Sequence, residues 1–156
     1  KFPKPFAATP SAAADRLANT LDMLGDRDAR NTYLLELADK LLPMPPELKN
    51  EQTRVHGCMS TVHLFGLAAR NEGGDEKRID FLADSDAHIV RGLIAVLQRL
   101  YSGQKAQEIL AFDVEEFFRR IGLDQFITSQ RRNGLAGMVS RIRATASRSL
   151  EQQGAA

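Results

Sequence analysis

Only one cysteine, Cys58, occurs in the 156 residues. A single thiol cannot close an internal disulfide, build a cysteine-rich zinc site or hold an iron–sulfur cluster alone. Its scarcity fits a reducing compartment. Aromatic residues make up 6% of the chain and do not alternate with basic ones, so the stacking surface of a single-strand nucleic-acid binder is missing. No apolar run approaches the ~20 residues of a membrane-spanning helix. The stretch from Lys1 to Pro10 lacks the apolar segment of a secretory leader. We therefore expect a cytoplasmic protein without a nucleic-acid or membrane partner. A dominant charge is lacking too, since 21 basic residues face 20 acidic ones for a net +1. Nor is there a Gly-rich phosphate loop or a Ser–His–Asp signature; Gly73-Gly74 reads as a turn.

What is present suits one domain of ordinary composition, with 43% hydrophobic and 26% charged residues. Residues 1–12, rich in Pro, Ala and Thr, read as a flexible arm, 13–150 as the domain and 151–156 as a tail. Leu17, Leu21 and Leu24 predict a helix from about Asp15 to Leu24, closed by Gly25. A second helix is expected from about Asp28 to Leu42, stopped by Pro43, Pro45 and Pro46. The period then shortens to that of strands at Val55, from Thr61 to Leu67 and from Arg78 to Ala83. Asp84-Ser85-Asp86 reads as an N-cap cluster for a helix carrying Ile89, Leu93, Val96, Leu97 and Leu100. That stripe is wide, so this helix is expected at the centre of the core. Further helices are expected over Ala106–Ala111, from Asp113 to near Gly122, and from Ser129 onward. In the last, Leu135, Met138, Val139 and Ile142 recur at helical spacing. The fold class is α+β, a small three-stranded antiparallel sheet packed on one face by helices. From Arg119 to Ala156 seven arginines stand against Asp124 and Glu151. That excess either steers an acidic partner or coats a solvated helix face.

Cys58 follows Gly57 between two strand-like runs, which places it on a turn, where a thiol can meet another protein. As a lone cysteine it also fits a small buried hydrophobe. His56 and His63 flank it and could favour the thiolate, or serve as half-buried strand residues. A metal held by His56, Cys58, His63 and a carboxylate is possible on ligand type, but the spacing matches no established motif, and we expect no metal and no cofactor. Asp84 and Asp86 have a sufficient explanation as caps. Gly134, early in a good helix, costs about 1 kcal/mol against Ala and signals close packing or a surface role near Arg131, Arg132 and Asn133.

Three pieces of the chain resemble the SufE family. The first is Tyr33-Leu34-Leu35-Glu36-Leu37, Leu42-Pro43-Met44-Pro45 and Val55-His56-Gly57-Cys58-Met59-Ser60-Thr61-Val62. The second is Ala83-Asp84-Ser85-Asp86-Ala87-His88-Ile89-Val90-Arg91-Gly92-Leu93, and the third is Ser129-Gln130-Arg131-Arg132-Asn133-Gly134-Leu135. They lie in the family's order across about residues 15 to 147. The resemblance implies an α+β fold akin to the IscU scaffold. It implies a sulfur acceptor that takes persulfide sulfur from a PLP-dependent cysteine desulfurase of the SufS or CsdA kind. The acceptor would stimulate that enzyme and relay the sulfur to an iron–sulfur scaffold such as SufBCD. It puts the acceptor on Cys58 in the Gly-Cys-x-Ser motif with Gly57 and Ser60. It puts Asp84, Asp86, Arg131 and Asn133 near the cysteine loop and the desulfurase-facing surface. Two positions depart from the family pattern: His63 stands where Trp is usual, and Thr53 where Asn is usual. A carrier needs one thiol because its product is itself a persulfide, whereas a scaffold needs several ligands at once. The other reading is a thiol-dependent redox protein using Cys58 with His56; the lack of a resolving cysteine counts against it.

Overall fold

The chain opens with two helices. In the structure, a computed structural model describing residues 2–56, 60–70, 77–125 and 127–155, α1 spans Pro10–Leu24 and α2 spans Arg27–Asp39. The start of α1 lies upstream of the expected Asp15 because Thr9-Pro10 is a complete start signal. The Thr9 hydroxyl accepts from Ala12 N–H at 3.0 Å, and proline at the first helical position loses no bond. Gly25 closes the helix at φ +81°, a backbone angle that side chains resist. Asp26 then caps α2, accepting from Ala29 N–H at 2.7 Å.

The sheet orders its strands β1 (Val62–Arg70), β2 (Lys77–Ser85) and β3 (Gln104–Lys105), all antiparallel. The expected architecture holds, with one exchange. The third strand is not Val55 but the two-residue β3, which follows α3 (His88–Tyr101) and pairs with Arg78 and Ile79. The segment through Val55 pairs only locally with the start of β1. Alternation along the strands sends Val62, Leu64, Ile79, Phe81 and Ala83 to one face, where all five are buried. That face packs on α3 and on the last helix, α6 (Ser129–Ala155); between them run α4 (Ala106–Ala111) and α5 (Val114–Arg120).

As expected, α3 is the central helix. Apolar residues all round it are buried, from Val90 through Leu93, Ile94 and Leu97 to Tyr101. It crosses α2 at Gly92, where a Cβ would lie 2.3 Å from the Leu34 carbonyl oxygen. In α6, Leu135, Met138, Val139 and Ile142 form the expected buried stripe. No helix among the described residues is long and apolar enough to cross a membrane.

Candidate functional site

Gly57, Cys58 and Met59 lie outside the described residues, so the site is built from what flanks them. On the upstream side the chain turns at Asn50, whose side-chain oxygen accepts from Gln52 N–H at 2.9 Å and Thr53 N–H at 3.1 Å. Residues 53–55 then run antiparallel to the start of β1. Leu64 N–H donates to Thr53 C=O at 2.7 Å and Val55 N–H donates to Val62 C=O at 2.8 Å. The covalent chain between Val55 and Val62 therefore leaves and returns at one hydrogen-bonded pair. Arg141 of α6 clamps the same segment, donating to Arg54 C=O at 2.9 Å and Gln52 C=O at 2.6 Å. Gly137, one turn earlier in α6, lets Val55 approach closely; a Cβ there would sit 3.2 Å from Val55 Cγ1.

The two positions that depart from the family pattern touch each other. Thr53 Oγ1 lies 3.0 Å from His63 Nδ1 and, with the residue 6% exposed, also meets Leu48 C=O at 2.8 Å, Asn50 C=O at 3.1 Å and Asn50 N–H at 3.0 Å. A hydroxyl has one proton, and the two carbonyls can only accept. Asn50 N–H donates to this hydroxyl, and which of Leu48 C=O, Asn50 C=O and His63 Nδ1 receives its single proton depends on the imidazole tautomer.

Downstream of the cysteine, Asp86 fixes the chain. Its carboxylate accepts from Thr61 N–H at 3.1 Å, and its own N–H donates to Thr61 C=O at 3.3 Å. The expected N-cap cluster is thus used differently. Asp84 and Ser85 complete β2, Ala87 occupies the cap position, and no side chain caps the helix. Ser85 Oγ accepts from Ala87 N–H at 3.1 Å. Asp84 gathers Lys49 at 2.8 Å and Arg91 at 3.5 Å, tying the connector after α2 to β2 and α3. The local sequence reads as a cap because Asp and Ser are the usual cap residues; pairing with Thr61 and Lys49, both far along the chain, decides their use.

Beside these anchors lies a cavity of about 300 Å³ lined by Ser60, Val62, Val90, Arg131, Gly134 and Leu135 among others. Gly134, buried, forms part of the α6 wall of this cavity. The Arg131 guanidinium has one buried nitrogen, Nη1, without a hydrogen-bond partner among the described residues. The arrangement brings Ser60, Asp86 and Arg131 to the flanks of the cysteine segment, with Asp84 behind them. It does not bring Asn133, which is exposed and lines a different cleft with Glu115, Phe118 and Arg119. His56 is exposed and His63 half-buried. The contributions of Thr53, Arg141 and Lys49 were missed from sequence. Only Thr53 carried a signal there, as a departure from the family pattern.

A family model described as an Fe–S metabolism associated SufE domain matches residues 15–146. Two uncharacterised SufE-like proteins are similar along most of their length. One from Rhizobium etli is 41% identical over 136 residues, 86% of this chain and 90% of that protein. One from Rhizobium meliloti is 36% identical over 132 residues, 85% and 93% respectively. The solution structure of a hypothetical protein from Thermus thermophilus superposes with a TM-score of 0.69 at 25% identity, covering 89% of this chain and 96% of that one. The paired anchoring around the single thiol therefore sits in a chain that belongs to the SufE family, associated with iron–sulfur metabolism.

Proposed function

We propose that Cys58 accepts the terminal sulfur of a persulfide carried by a PLP-dependent cysteine desulfurase, SufS-like or CsdA-like. Docking stimulates that enzyme, and the sulfur passes on to an iron–sulfur assembly scaffold of the SufBCD kind. The Cys58 thiolate attacks the outer sulfur of the desulfurase persulfide. A sulfur–sulfur bond forms on Cys58, the desulfurase sulfur–sulfur bond breaks, and the desulfurase cysteine leaves as a thiolate. The sulfane sulfur keeps its oxidation state, so no external oxidant or reductant enters. On this reading the protein is an accessory to the desulfurase and not an enzyme of its own, and it works in the cytoplasm.

The observation that supports this reading best is the anchoring of both flanks of the only thiol, Val55 on Val62 and Thr61 on Asp86, beside a cavity. Fixed flanks reduce the ordering cost when two proteins must bring their sulfurs into line. Val62, Val90 and Leu135 offer apolar shelter from reductants, and the unpartnered nitrogen of Arg131 could balance the charge of a persulfide anion. In this picture Asp84, Asp86 and Arg131 support the loop, while His56, exposed, is a candidate partner contact.

The test is to incubate the protein with a cysteine desulfurase, PLP and cysteine, then read intact mass. One added sulfur atom on the wild type, none on Cys58→Ser, and faster desulfurase turnover only with the wild type are expected. An unchanged mass together with unchanged turnover would defeat the proposal.

A further inference from the structure

A second charged cavity lies away from the cysteine segment, at the ends of α2 and α3 where the N-terminal stretch folds over them. It measures about 320 Å³. Lys4, Arg16, Lys40 and Arg99 line it, and no Asp or Glu does. The side chains of Lys4, Lys40 and Arg99 make no hydrogen bond or ion pair among the described residues. The carboxylates adjacent in sequence are engaged elsewhere. Asp15 pairs with Arg120 at 2.7 Å, and Asp39 with His88 at 3.0 Å.

The wall carrying Lys4 is a built one. Ser102 Oγ donates to Pro3 C=O at 3.3 Å, Gln104 Nε2 donates to Ala7 C=O at 2.9 Å, and Gly103 lies so near Pro5 that a Cβ would be 2.6 Å from its ring. Phe6 is held by two cations, with the Arg16 guanidinium carbon 3.9 Å and that of Arg99 5.2 Å from its ring centroid. Arg16 Nη1 also donates to Phe6 C=O at 2.5 Å, so Phe6 holds both guanidinium groups beside the cavity that they line. Helix termini account for part of the charge only. Lys40 caps α2 and Arg99 sits in the last turn of α3. Two helix C-termini offset roughly one charge together, about half a charge each, which leaves some three of the four unbalanced.

We propose that this cavity binds a small polyphosphate-type anion, inorganic or as the phosphate group of a small molecule. Two forked guanidinium groups match phosphate oxygens, and two ammonium groups add charge without fixed geometry. A singly charged carboxylate would leave most of the cationic charge unmatched.

Inorganic pyrophosphate is the probe, titrated into the full chain by calorimetry at low ionic strength, with amide shifts followed by NMR. Saturable binding at one site per chain is expected, with shifts confined to residues 3–7, the turn of α1 around Arg16, 39–42 and 98–103. Affinity should fall as salt rises. Arg99→Gln and Lys40→Gln should each weaken binding about fivefold or more, the loss of one charge-assisted contact in a partly exposed site. Arg148→Gln, exposed and not part of the cavity lining, should leave it unchanged. Acetate should not saturate the site. A titration that never saturates, shifts spread equally over Arg119, Arg120 and Arg132, or full affinity in Lys40→Gln would each overturn the proposal. The exposed Lys40 variant keeps the test valid should Arg99→Gln fail to fold.

Discussion

Thr53 concentrates more of the site's structure than any other single side chain before the cysteine. Its one hydroxyl serves Leu48, Asn50 and His63 at once. Thr53→Val keeps the volume and removes the hydroxyl, leaving Asn50 N–H, Leu48 C=O and His63 Nδ1 without it. The expected cost is about 1–3 kcal/mol, the penalty for unsatisfied buried polar groups, read from urea unfolding. Amide exchange should quicken most at Val55 and Leu64, whose bonds flank the defect. Equal stability in the two proteins would show that water replaces the hydroxyl at no cost. From the sequence, Thr53 and His63 were visible as two separate departures from a family pattern. Their contact was not, because ten positions along a chain carry no distance until the strand pairing is known. Cys58 was legible as a residue, and its role as acceptor is a proposal that rests on the resemblance, while Asp84 and Asp86 were legible as residues but assigned the wrong local job as caps.

At the scale of elements, legibility followed the strength of the period. The all-round apolar surface of α3 and the stripe of α6 were readable because burial repeats every three to four residues. The two-residue β3 has no period to read; it exists because Gly103, at φ +75°, turns the chain back against Ile79, to whose carbonyl it donates at 2.7 Å. The close crossing of α2 and α3 was equally invisible. Gly92 in the middle of α3 looks like a weak point for a helix, since glycine there costs about 1 kcal/mol against alanine. Yet the Leu34 backbone of α2 occupies the space where a side chain would stand. Gly92→Ala therefore sets a small propensity gain against a backbone clash, and the clash wins. We expect a net loss at the upper end of the ~1–3 kcal/mol typical of overpacking. Thermal unfolding should fall by about 2–4 °C for each kcal/mol lost in a chain of this length. A stability equal to or above the wild type would mean that α2 slides away from α3 without strain.

Across the whole molecule, the arginine-rich C-terminal segment turns out to be a set of fasteners. Its excess charge suggested either steering of an acidic partner or a solvated face; Arg119, Arg120, Arg132 and Arg148 are exposed, as on a solvated face, and four of the seven arginines also meet the chain's own acceptors. Arg119 pairs with Glu116 and Arg120 with Asp15. Arg143 donates to Ile109 C=O and Leu110 C=O at 3.3 Å each, and Arg141 reaches Gln52 and Arg54. Arg141 matters most to the site because its two carbonyl partners lie 87 and 89 positions away, on the segment that leads into Cys58. Arg141→Met preserves the length and apolar stem of the side chain and deletes only the fork. Helix propensity barely changes, so α6 should form as before. The loss should be about 1.5–3 kcal/mol, the range for hydrogen bonds from a charged donor. Amide exchange should rise locally from Gln52 to His56 while the buried stripe of α6 stays protected. If sulfur reaches Cys58 as proposed, the loading rate should also fall, because the segment must then be ordered during docking. Exchange from Gln52 to His56 as slow as in the wild type would show that the hydrogen bonds to Val62 and Leu64 hold the segment unaided, and that α6 does not control it.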